Sequence, residues 1–374
     1  MDPTPPTAAI GLMEQFAEAT GLAGSRPARR YLWTDAHAVC NFLELHRQTG
    51  TPGWLQLAER LIEQVHGTLG RHRGDDGRHG WISGMSEADG RLHPTAGGLR
   101  IGKPLPERRP DELPDPQQEW DQDGQYYHYL TRWMHALNRA AAATGADRYR
   151  RWAIELAVAA HRGFTAKTGP PRLHWKMRID LSRPLLASSG HHDPLDGLVT
   201  SLVLSASATA EERQALAPQL GDLAALCRDR DWATDDPLGL GGLLFDAGRL
   251  AQLPEASHAA TGPLLARVLD AAEVSLLRVG RSGFLGLAAG QRLAFRELGL
   301  AIGLHAVPLL YRSRLPAAMR LQLDRLRRHA PLVETIERFW LDPEHRHAAT
   351  WQAHEDINTV MLATSLVPLG LLLV

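Results

Sequence analysis

The sequence predicts an all-α protein, a closed ring of about six helical hairpins. Three observations lead to this class. Apolar residues recur at helical spacing along most of the 374-residue chain, strand patterns are sparse, and short turns alternate with long connections. The composition, 44% hydrophobic and 22% charged, is ordinary for a globular protein, and the length is sufficient for one large ring.

The predicted helices follow one another in pairs, joined by short turns such as QTGTPG and ATGADR. In the last pair, the first member could equally extend the helix before it. The pairs are 31–48 with 53–70, 121–143 with 147–165, 194–207 with 210–228, 237–252 with 259–278, 288–312 with 316–329, and 331–341 with 352–370.

Two of these hairpins are similar in sequence. The segment LHRQTGTPGWLQLAERLIEQVH aligns with AAAATGADRYRRWAIELAVAAH, and each ends its first helix at a Thr-Gly pair, Thr49-Gly50 and Thr144-Gly145. Glycine often follows the end of a helix, because it adopts the left-handed conformation without strain. A repeated helix–turn–helix unit buries its apolar face only by stacking on its neighbours, which supports the ring.

The connections between hairpins are longer than the turns within them. In a closed ring of hairpins, all of these connections lie on one rim, where the first helix of each hairpin begins. Long, chemically varied loops on a rigid scaffold commonly build a functional site, so we expect the site on this rim. The long connections cover 71–119, 166–193, 229–236, 279–287 and 342–350.

The first helices begin with an unusual mixture of tryptophan, histidine and carboxylates. Capping of a helix N-terminus favours Ser, Thr, Asn and Asp, and gives no reason for Trp or His. Convergence of these side chains on one pocket explains the mixture. The residues are Trp33 and Asp35; Trp120, Asp121 and Asp123; His191, His192, Asp193 and Asp196; Trp232, Asp235 and Asp236; and Trp351, His354, Glu355 and Asp356.

Repeated helical hairpins with aromatic and acidic starts of the inner helices resemble the (α/α)6 toroids of the six-hairpin glycosidase superfamily. Sugar 2-epimerases and isomerases share that toroid. The resemblance is architectural and covers residues 28–370. It implies an enzyme that acts on a carbohydrate, with a single (α/α)6 catalytic domain over 28–374 and an N-terminal extension over 1–27.

The leading mechanism is glycoside hydrolysis by two carboxylates, one giving a proton to the leaving oxygen and the other activating water. In an inverting enzyme the two groups stand roughly 6.5–9.5 Å apart. The predicted pair is Asp123 and Glu355, with Asp35, Asp193 and Asp196 in reserve. For each of them the alternative is an acid that only stabilises the start of a helix.

Substrate binding is assigned to aromatic, polar and basic side chains near the same helix starts. Two basic loops, 93–112 and 174–185, indicate an anionic group on the sugar, such as a carboxylate, sulfate or phosphate, although a solvated surface loop would carry similar charges. The predicted binding residues are the stacking residues Trp33, Trp120, Tyr126 and Trp351, the basic Arg100, Lys103, Lys176 and Arg178, and also Gln125, His128, Trp175, His191, His192, Asp193 and His354.

Three other functions stay open. A sugar epimerase or isomerase would use histidines such as His192 and His354 to move a proton at a carbon beside a carbonyl. A polyprenyl cyclase also uses a helical barrel with acids and aromatics, but the sequence lacks a DxDD motif. A non-catalytic helical-repeat binding protein would expose a groove along its length, rather than gather acids and tryptophans at one rim.

Charge, cysteine and terminal patterns argue against several classes. A net charge of −1 and a pI near 7.0 give no electrostatic footprint for nucleic acid. The cysteines Cys40 and Cys227 are typical of a reduced, cytoplasmic protein without disulfides. The N-terminus shows no secretory pattern, and the apolar C-terminal segment is too short to span a membrane. We expect no metal at His191-His192, no cofactor, and a small sugar or an oligosaccharide as the partner.

Overall fold

The computed structural model describes residues 5–109, 111–113, 115–166, 172–186, 188–313 and 315–374. Within these residues the chain forms two compact units. The N-terminal unit comprises Thr20–Val39 and Pro52–Asp229, and the C-terminal unit comprises Met1–Ala19, Cys40–Thr51 and Arg230–Val374.

Helices make up most of both units, so the all-α class predicted from the sequence is confirmed. The first half of the chain contains α1 (Pro5–Ala19), α2 (Leu32–Thr49), α3 (Pro52–Leu69), α4 (Glu87–Leu92), α5 (Pro116–Asp121), α6 (Tyr127–Thr144), α7 (Asp147–Phe164), α8 (Asp193–Ser207) and α9 (Ala210–Leu226). The second half contains α10 (Pro237–Ala251), α11 (Glu255–Arg281), α12 (Ala294–Leu304), α13 (Val307–Arg312), α14 (Ala317–Arg327), α15 (Pro331–Leu341), α16 (Pro343–Arg346), α17 (Ala349–Gln352), α18 (Glu355–Leu366) and α19 (Leu369–Leu372).

Local sequence signals begin and end these helices where the sequence predicts. Gly50 and Gly145 follow α2 and α6 in the left-handed conformation, with φ angles of 68° and 70°. The N–H of Gly145 donates to the carbonyl of Ala141 at 2.9 Å. Thr209 and Glu212 form a reciprocal capping box at the start of α9. Helix α6 packs against α7, α8 against α9, and α10 against α11, so these predicted hairpins form.

One predicted helix begins later than expected. The sequence predicts a helix over 121–143, but α6 begins only at Tyr127. Before it, Gly124 has a φ angle of 149°, which side chains other than glycine rarely adopt. Next, β1 (Gln125–Tyr126) pairs antiparallel with β2 (Lys176–Met177). Contrary to the prediction, Asp123 therefore lies in a loop before the helix and not in its first turns.

In the C-terminal unit, α10 and α12 pack at close range. A Cβ atom on Gly241 of α10 would lie 2.0 Å from the carbonyl oxygen of Gly299 of α12, so a side chain at Gly241 would force the helices apart. Helix α12 also contacts α15 and α18. The helix predicted over 288–312 is divided into α12 and α13, because Pro308 stands in the first turn of α13 and cannot continue α12.

The N-terminal extension predicted over 1–27 contains a packed helix. Helix α1 lies against α18 and buries its apolar face, including Met13. Asn41 ties this part of the unit together, because its Nδ2 donates to the carbonyl of Val360 at 3.2 Å and contacts the sulfur of Met13 at 3.4 Å. Helix α18 thus packs mainly against α1, although α15, which the sequence predicts as its partner, also contacts it.

Three further findings concern the described part of the chain. None of its helices is long and apolar enough to cross a membrane. Both cysteines, Cys40 and Cys227, are buried thiols. Within the described ranges, no group of three or more His, Cys, Asp and Glu side chains could hold a metal ion.

Candidate active site

Six aromatic side chains of the N-terminal unit meet where α2, β1 and α6 begin. Neighbouring ring centroids among them are 4.8 to 6.2 Å apart. One tyrosine is buried and the other five residues are partly buried, so the exposed parts of their rings present a surface on which a flat apolar group can lie. We call this set the aromatic cluster: Tyr31, Trp33, Tyr126, His128, Tyr129 and Trp175.

The pairing of β1 with β2 brings a distant tryptophan to the start of α6. The N–H of Tyr127 donates to the carbonyl of Trp175 at 3.2 Å. The ring of Trp175 then stacks on that of Tyr126, with the centroids 5.4 Å apart. Trp120, which is 54% exposed, stands edge-on to Trp175 at 5.1 Å. Three of the stacking residues predicted from the sequence, Trp33, Trp120 and Tyr126, thus lie in or beside one cluster.

His128, in the first turn of α6, is the imidazole of this cluster. Its Nδ1 accepts a hydrogen bond from Nε1 of Trp175 at 3.2 Å and lies 3.7 Å from Oδ1 of Asp193. Burial lowers the pKa of His128 to about 4; Asp196 opposes this shift and Arg132 adds to it. The ring is therefore neutral near pH 7. The side chain of His128 is 28% exposed, so a solute can contact part of it.

Two hydroxyl groups and one ammonium group add polar character to the cluster. The hydroxyl oxygens of Tyr31 and Tyr129 are 2.6 Å apart and share a hydrogen bond. Burial raises the pKa of Tyr31 to about 12, so its hydroxyl stays protonated. Nζ of Lys103 lies 5.7 Å from the centroid of the Tyr31 ring, and burial lowers the pKa of Lys103 below its usual range. Within the described part of the chain, no ion pair involves this ammonium group.

Sequence reasoning missed four residues of this region. They are Tyr31 and Tyr129, whose hydroxyls share a hydrogen bond, and also His37 and Arg132. The ring centroid of His37 lies 4.9 Å from that of Trp33, one turn earlier on α2. Cζ of Arg132 lies 5.3 Å from the same Trp33 ring and follows His128 by one turn of α6. A spacing of four residues on a helix places side chains on one face, and this was the signal that could have found His37 and Arg132.

Asp123, predicted as a catalytic acid, is fully buried in the N-terminal unit. Its Oδ2 accepts from Nη1 of Arg100 at 2.5 Å and from Nη1 of Arg73 at 3.4 Å. Its Oδ1 accepts from the backbone N–H groups of Gly102 at 3.0 Å and Lys103 at 3.3 Å. Donors of the protein itself thus occupy both carboxylate oxygens, which favours a structural role in fixing the surrounding loops.

Most basic side chains of the two predicted binding loops are engaged inside the unit. Nζ of Lys176 donates to Oε1 of Glu119 at 2.9 Å, and both side chains are buried. Nη2 of Arg178 donates to Oε1 of Glu107 at 2.8 Å. Together with Arg100, these cations have carboxylate partners inside the unit. The two basic loops therefore form an ion-paired framework, which does not favour their predicted role in binding an anionic sugar.

Gln125, predicted to bind substrate, connects three segments of the N-terminal unit. Its Oε1 accepts from the N–H of Leu99 at 2.9 Å. Its Nε2 donates to the carbonyls of Gly97 at 3.0 Å and Ile179 at 2.6 Å. Because the whole side chain is buried, its amide has its hydrogen bonds within the protein.

The start of α8 brings two carboxylates to the aromatic cluster. Asp193 approaches the imidazole of α6, and Oδ2 of Asp196 accepts a hydrogen bond from the hydroxyl of Thr131. Both carboxylates are buried. The rings of His191 and His192, immediately before the helix, lie 4.5 Å apart. The reserve acids at this helix start therefore contact the aromatic cluster and α6, whereas the first-choice Asp123 is tied to arginines.

Asp35, a further reserve carboxylate, stabilises the start of α2. Its Oδ2 accepts from the N–H of Tyr31 at 2.9 Å. Its Oδ1 lies 3.4 Å from Nη1 of Arg30, and both of these side chains are buried. These contacts correspond to the structural alternative for an acid in the first turn of a helix.

Three predicted site residues belong to the C-terminal unit. Trp351 is buried, and its ring lies 5.6 Å from that of the tryptophan of α15, so it is part of the core of this unit. The ring of His354 packs edge-on against Phe295 at 5.4 Å. Glu355 is exposed and accepts a hydrogen bond from a glutamine of α1 at 3.2 Å. The carboxylate of Glu355 is therefore accessible to a solute.

Known proteins resemble the chain in structure and not in sequence. No protein-family model matches it, and no curated protein matches it. The chain is similar to the solved structure of the GH76A α-1,6-mannanase from Salegentibacter sp. HEL1_6, with 14% identity and a TM-score of 0.57 over 98% of this chain and 99% of the mannanase. An inactive variant of that mannanase in complex with α-1,6-mannotetrose matches at 14% identity and a TM-score of 0.57, over 98% of this chain and 100% of the variant.

A sugar epimerase from a ruminal bacterium is also similar in structure. Its identity to this chain is 11% and its TM-score is 0.51, over 92% of this chain and 90% of the epimerase. Similarity at this level of identity concerns the fold. The chain therefore has the (α/α)6 toroid fold predicted from its sequence, the fold of this mannanase and this sugar epimerase.

Proposed function

We propose that the protein is a carbohydrate-active enzyme and that its sugar substrate lies against the aromatic cluster. The observation that carries this proposal is the group of partly exposed rings beside one imidazole and one carboxylate. Ligand sites combine aromatic walls with a few positioned polar groups in this way. Solved structures of the same fold include a mannanase bound to mannotetrose and a sugar epimerase, which supports the proposal.

The first candidate reaction is proton transfer at a sugar carbon beside a carbonyl, as in an epimerase or isomerase. His128 favours it, because the neutral ring accepts at Nδ1 and so carries its proton on Nε2, which can donate to a sugar oxygen. Asp193, 3.7 Å from the ring, is the candidate base. His128 takes precedence over His192 and His354, the histidines that the sequence predicts for this chemistry, because it belongs to the aromatic cluster.

The second candidate is glycoside hydrolysis by two carboxylates, the mechanism predicted from the sequence. The start of α8 favours it, because Asp193 and Asp196 stand one helical turn apart beside the aromatic cluster. Glu355, which the sequence predicts as the partner of Asp123, is exposed in the C-terminal unit. Asp123 is a weaker candidate for either role, because donors of the protein already occupy both of its oxygens.

Incubation in D2O with a panel of sugars separates the two reactions. The panel contains α- and β-linked manno- and gluco-oligosaccharides and free aldoses. Hydrolysis creates new reducing ends and shorter chains, whereas epimerisation or isomerisation keeps the chain length and incorporates deuterium at carbon. His128→Ala should lower the rate of deuterium incorporation by about 10²-fold or more. A wild-type protein that neither binds nor changes any sugar of the panel would reject the proposed function.

We also propose that the protein works in a reducing compartment, the cytoplasm. The buried thiols of Cys40 and Cys227 support this, because secreted domains more often oxidise their cysteines to disulfides. Fractionation of cells that express the tagged chain checks it: recovery in the cytoplasmic fraction is expected, and recovery outside the cell would contradict the proposal.

A further inference from the structure

Trp120, at the end of α5, is the most exposed tryptophan of the chain. All ten tryptophans lie within the described residues, and Trp120 is the one that is more than half exposed, at 54%. Tryptophan is highly buried on average in folded proteins, because its indole carries a large apolar surface. The exposed indole of Trp120 contributes little to the core, so its position needs a reason other than packing.

Buried polar contacts fix the backbone on both sides of Trp120. Nζ of Lys176 donates to the carbonyl oxygen of Glu119 at 2.5 Å and to that of Gln122 at 2.9 Å. The carboxylate of Glu119 accepts from the same Nζ at 2.9 Å and from Nε of Arg108 at 3.0 Å. The side chains of these three charged residues are buried, and hydrogen bonds are stronger where water is excluded. The backbone that carries the exposed indole is therefore held in one conformation.

The indole of Trp120 extends the surface of the aromatic cluster. Its centroid lies 5.1 Å from that of Trp175, and the two ring planes are inclined by 72°. The Trp175 ring is nearly parallel to those of Tyr126 and His128, at 18° and 20°. Because the two indoles are in contact and each is at least partly exposed, their accessible surfaces adjoin. Trp120 thus adds a second, steeply inclined aromatic plane beside the first.

We propose that Trp120 forms an outer sugar subsite, so that the substrate is an oligosaccharide with one ring against the aromatic cluster and the next against Trp120. This inference rests on the proposed function and deepens it, because a free monosaccharide would occupy the cluster alone. Successive pyranose rings are joined through one oxygen and rotate about it, so one chain can face two inclined planes. The apolar C–H face of a pyranose packs on an indole, and an indole on a fixed backbone loses little entropy on binding.

Affinities for short and long sugars test this inference. The wild-type protein should bind a tetrasaccharide more tightly than the corresponding monosaccharide. Trp120→Ala should weaken tetrasaccharide binding by about tenfold, the effect of losing one aromatic stacking contact, and leave monosaccharide binding unchanged. Its melting temperature should stay near that of the wild type, because the side chain is exposed. Trp120→Phe keeps a flat ring and should recover part of the affinity. Leu92→Ala is the control: Leu92 is an apolar residue of the same unit, 67% exposed and outside the cluster, and its loss should change neither affinity.

Calorimetry with mannose, α-1,6-mannotetraose, glucose and cellotetraose gives the affinities, and circular dichroism gives the melting temperatures. Equal affinity of the wild-type protein for short and long sugars would overturn the outer subsite and leave the proposed function standing. So would a Trp120→Ala variant that keeps the wild-type preference for the tetrasaccharide, or one that loses affinity for both lengths equally. A wild-type protein that binds none of these sugars would overturn the proposed function and the outer subsite together.

Discussion

Nε1 of Trp175 donates a hydrogen bond to Nδ1 of His128 at 3.2 Å, across 47 residues of chain. Because the accepting nitrogen of a neutral imidazole carries no hydrogen, this contact places the proton on Nε2. An indole N–H has no acceptor capacity and does not titrate, so Trp175 orients the ring without taking its proton. The pairing of β1 with β2 is what brings this indole to the start of α6.

Trp175→Phe should lower turnover and keep most of the ring packing. The loss of one neutral hydrogen bond corresponds to about 0.5–1.5 kcal/mol, and the released ring would also rotate and change tautomer, so we expect a decrease in kcat of about tenfold. Trp133→Phe is the matched control, because it removes the same type of contact from His66, at 3.1 Å. It should lower the melting temperature and leave kcat unchanged. Equal kcat values for Trp175→Phe and the wild type would contradict the positioning role of Trp175.

Asp123→Asn should destabilise the fold. The change removes the negative charge that pairs with Arg100 at 2.5 Å and leaves a buried guanidinium without its carboxylate, which costs about 3–5 kcal/mol. Asp147→Asn is the control, since its ion pair with Arg150 lies at the surface and should contribute at most about 1 kcal/mol. Urea denaturation and turnover are measured on both variants. Native stability combined with turnover reduced about 10²-fold would instead support the catalytic role predicted from the sequence.

Lys103→Gln should distinguish charged from neutral substrates. The ammonium group lies beside Tyr31 of the aromatic cluster, and if it binds an anionic sugar, its loss should weaken binding of glucuronate by about 1.5–3 kcal/mol and change glucose binding little. Lys176→Gln should instead lower stability without selectivity between the sugars, because Lys176 is paired with Glu119. Calorimetry with both sugars measures this. Equal losses for glucuronate and glucose in Lys103→Gln would reject an anionic substrate.

Acid should destabilise the protein before its surface carboxylates are protonated. Burial lowers the pKa of His37 and His66 from 6.5 to about 3 in the folded state. Below pH 6.5 the unfolded chain therefore binds more protons than the folded chain. The contribution of the two neutral histidines to the free energy of unfolding is complete above pH 6.5 and is lost as the pH falls towards 3. Each histidine contributes a slope of up to about 1.4 kcal/mol per pH unit.

Urea denaturation at neutral pH and in mild acid measures this slope. The urea concentration at the midpoint of unfolding should be lower in mild acid than at neutral pH. His66→Phe should reduce this difference in midpoint, because the variant lacks one of the two buried imidazoles. A variant with the same pH dependence as the wild type would show that His66 does not contribute to the acid sensitivity.

The limits of most helices were predictable because their signals lie in neighbouring residues. Thr-Gly pairs ended two helices in the sequence, and Gly50 and Gly145 adopt the left-handed conformation there. The exceptions were the helix predicted over 288–312, which is divided into α12 and α13, and the start of α6. Gly124 and the strand pairing that follows it depend on β2, some fifty residues later, and a helical pattern of apolar residues does not report such a partner.

The candidate site was predictable in its composition and not in its contacts. Tryptophans and histidines at helix starts pointed to Trp33 and His128, which do meet. The same pattern pointed to Asp123 and gave no sign of Tyr31, whose hydroxyl meets that of Tyr129, 98 residues later. Residues one turn apart on a helix, such as Trp33 and His37, were within reach of sequence reasoning.

The amino-acid pattern was enough to predict an all-α chain, three of its hairpins and the concentration of aromatics and acids at helix starts. These follow from helical periodicity and capping, which act over one or two turns. The role of each charged or polar side chain depended on its partners in the folded chain. Lys176 meets Glu119 across 57 residues, and His66 meets Trp133 across 67. In the described protein, the ring nitrogens of His37 have no hydrogen-bond partner. The physical reason is that the free energy of a polar group depends on its burial and its partners, and distant segments supply both.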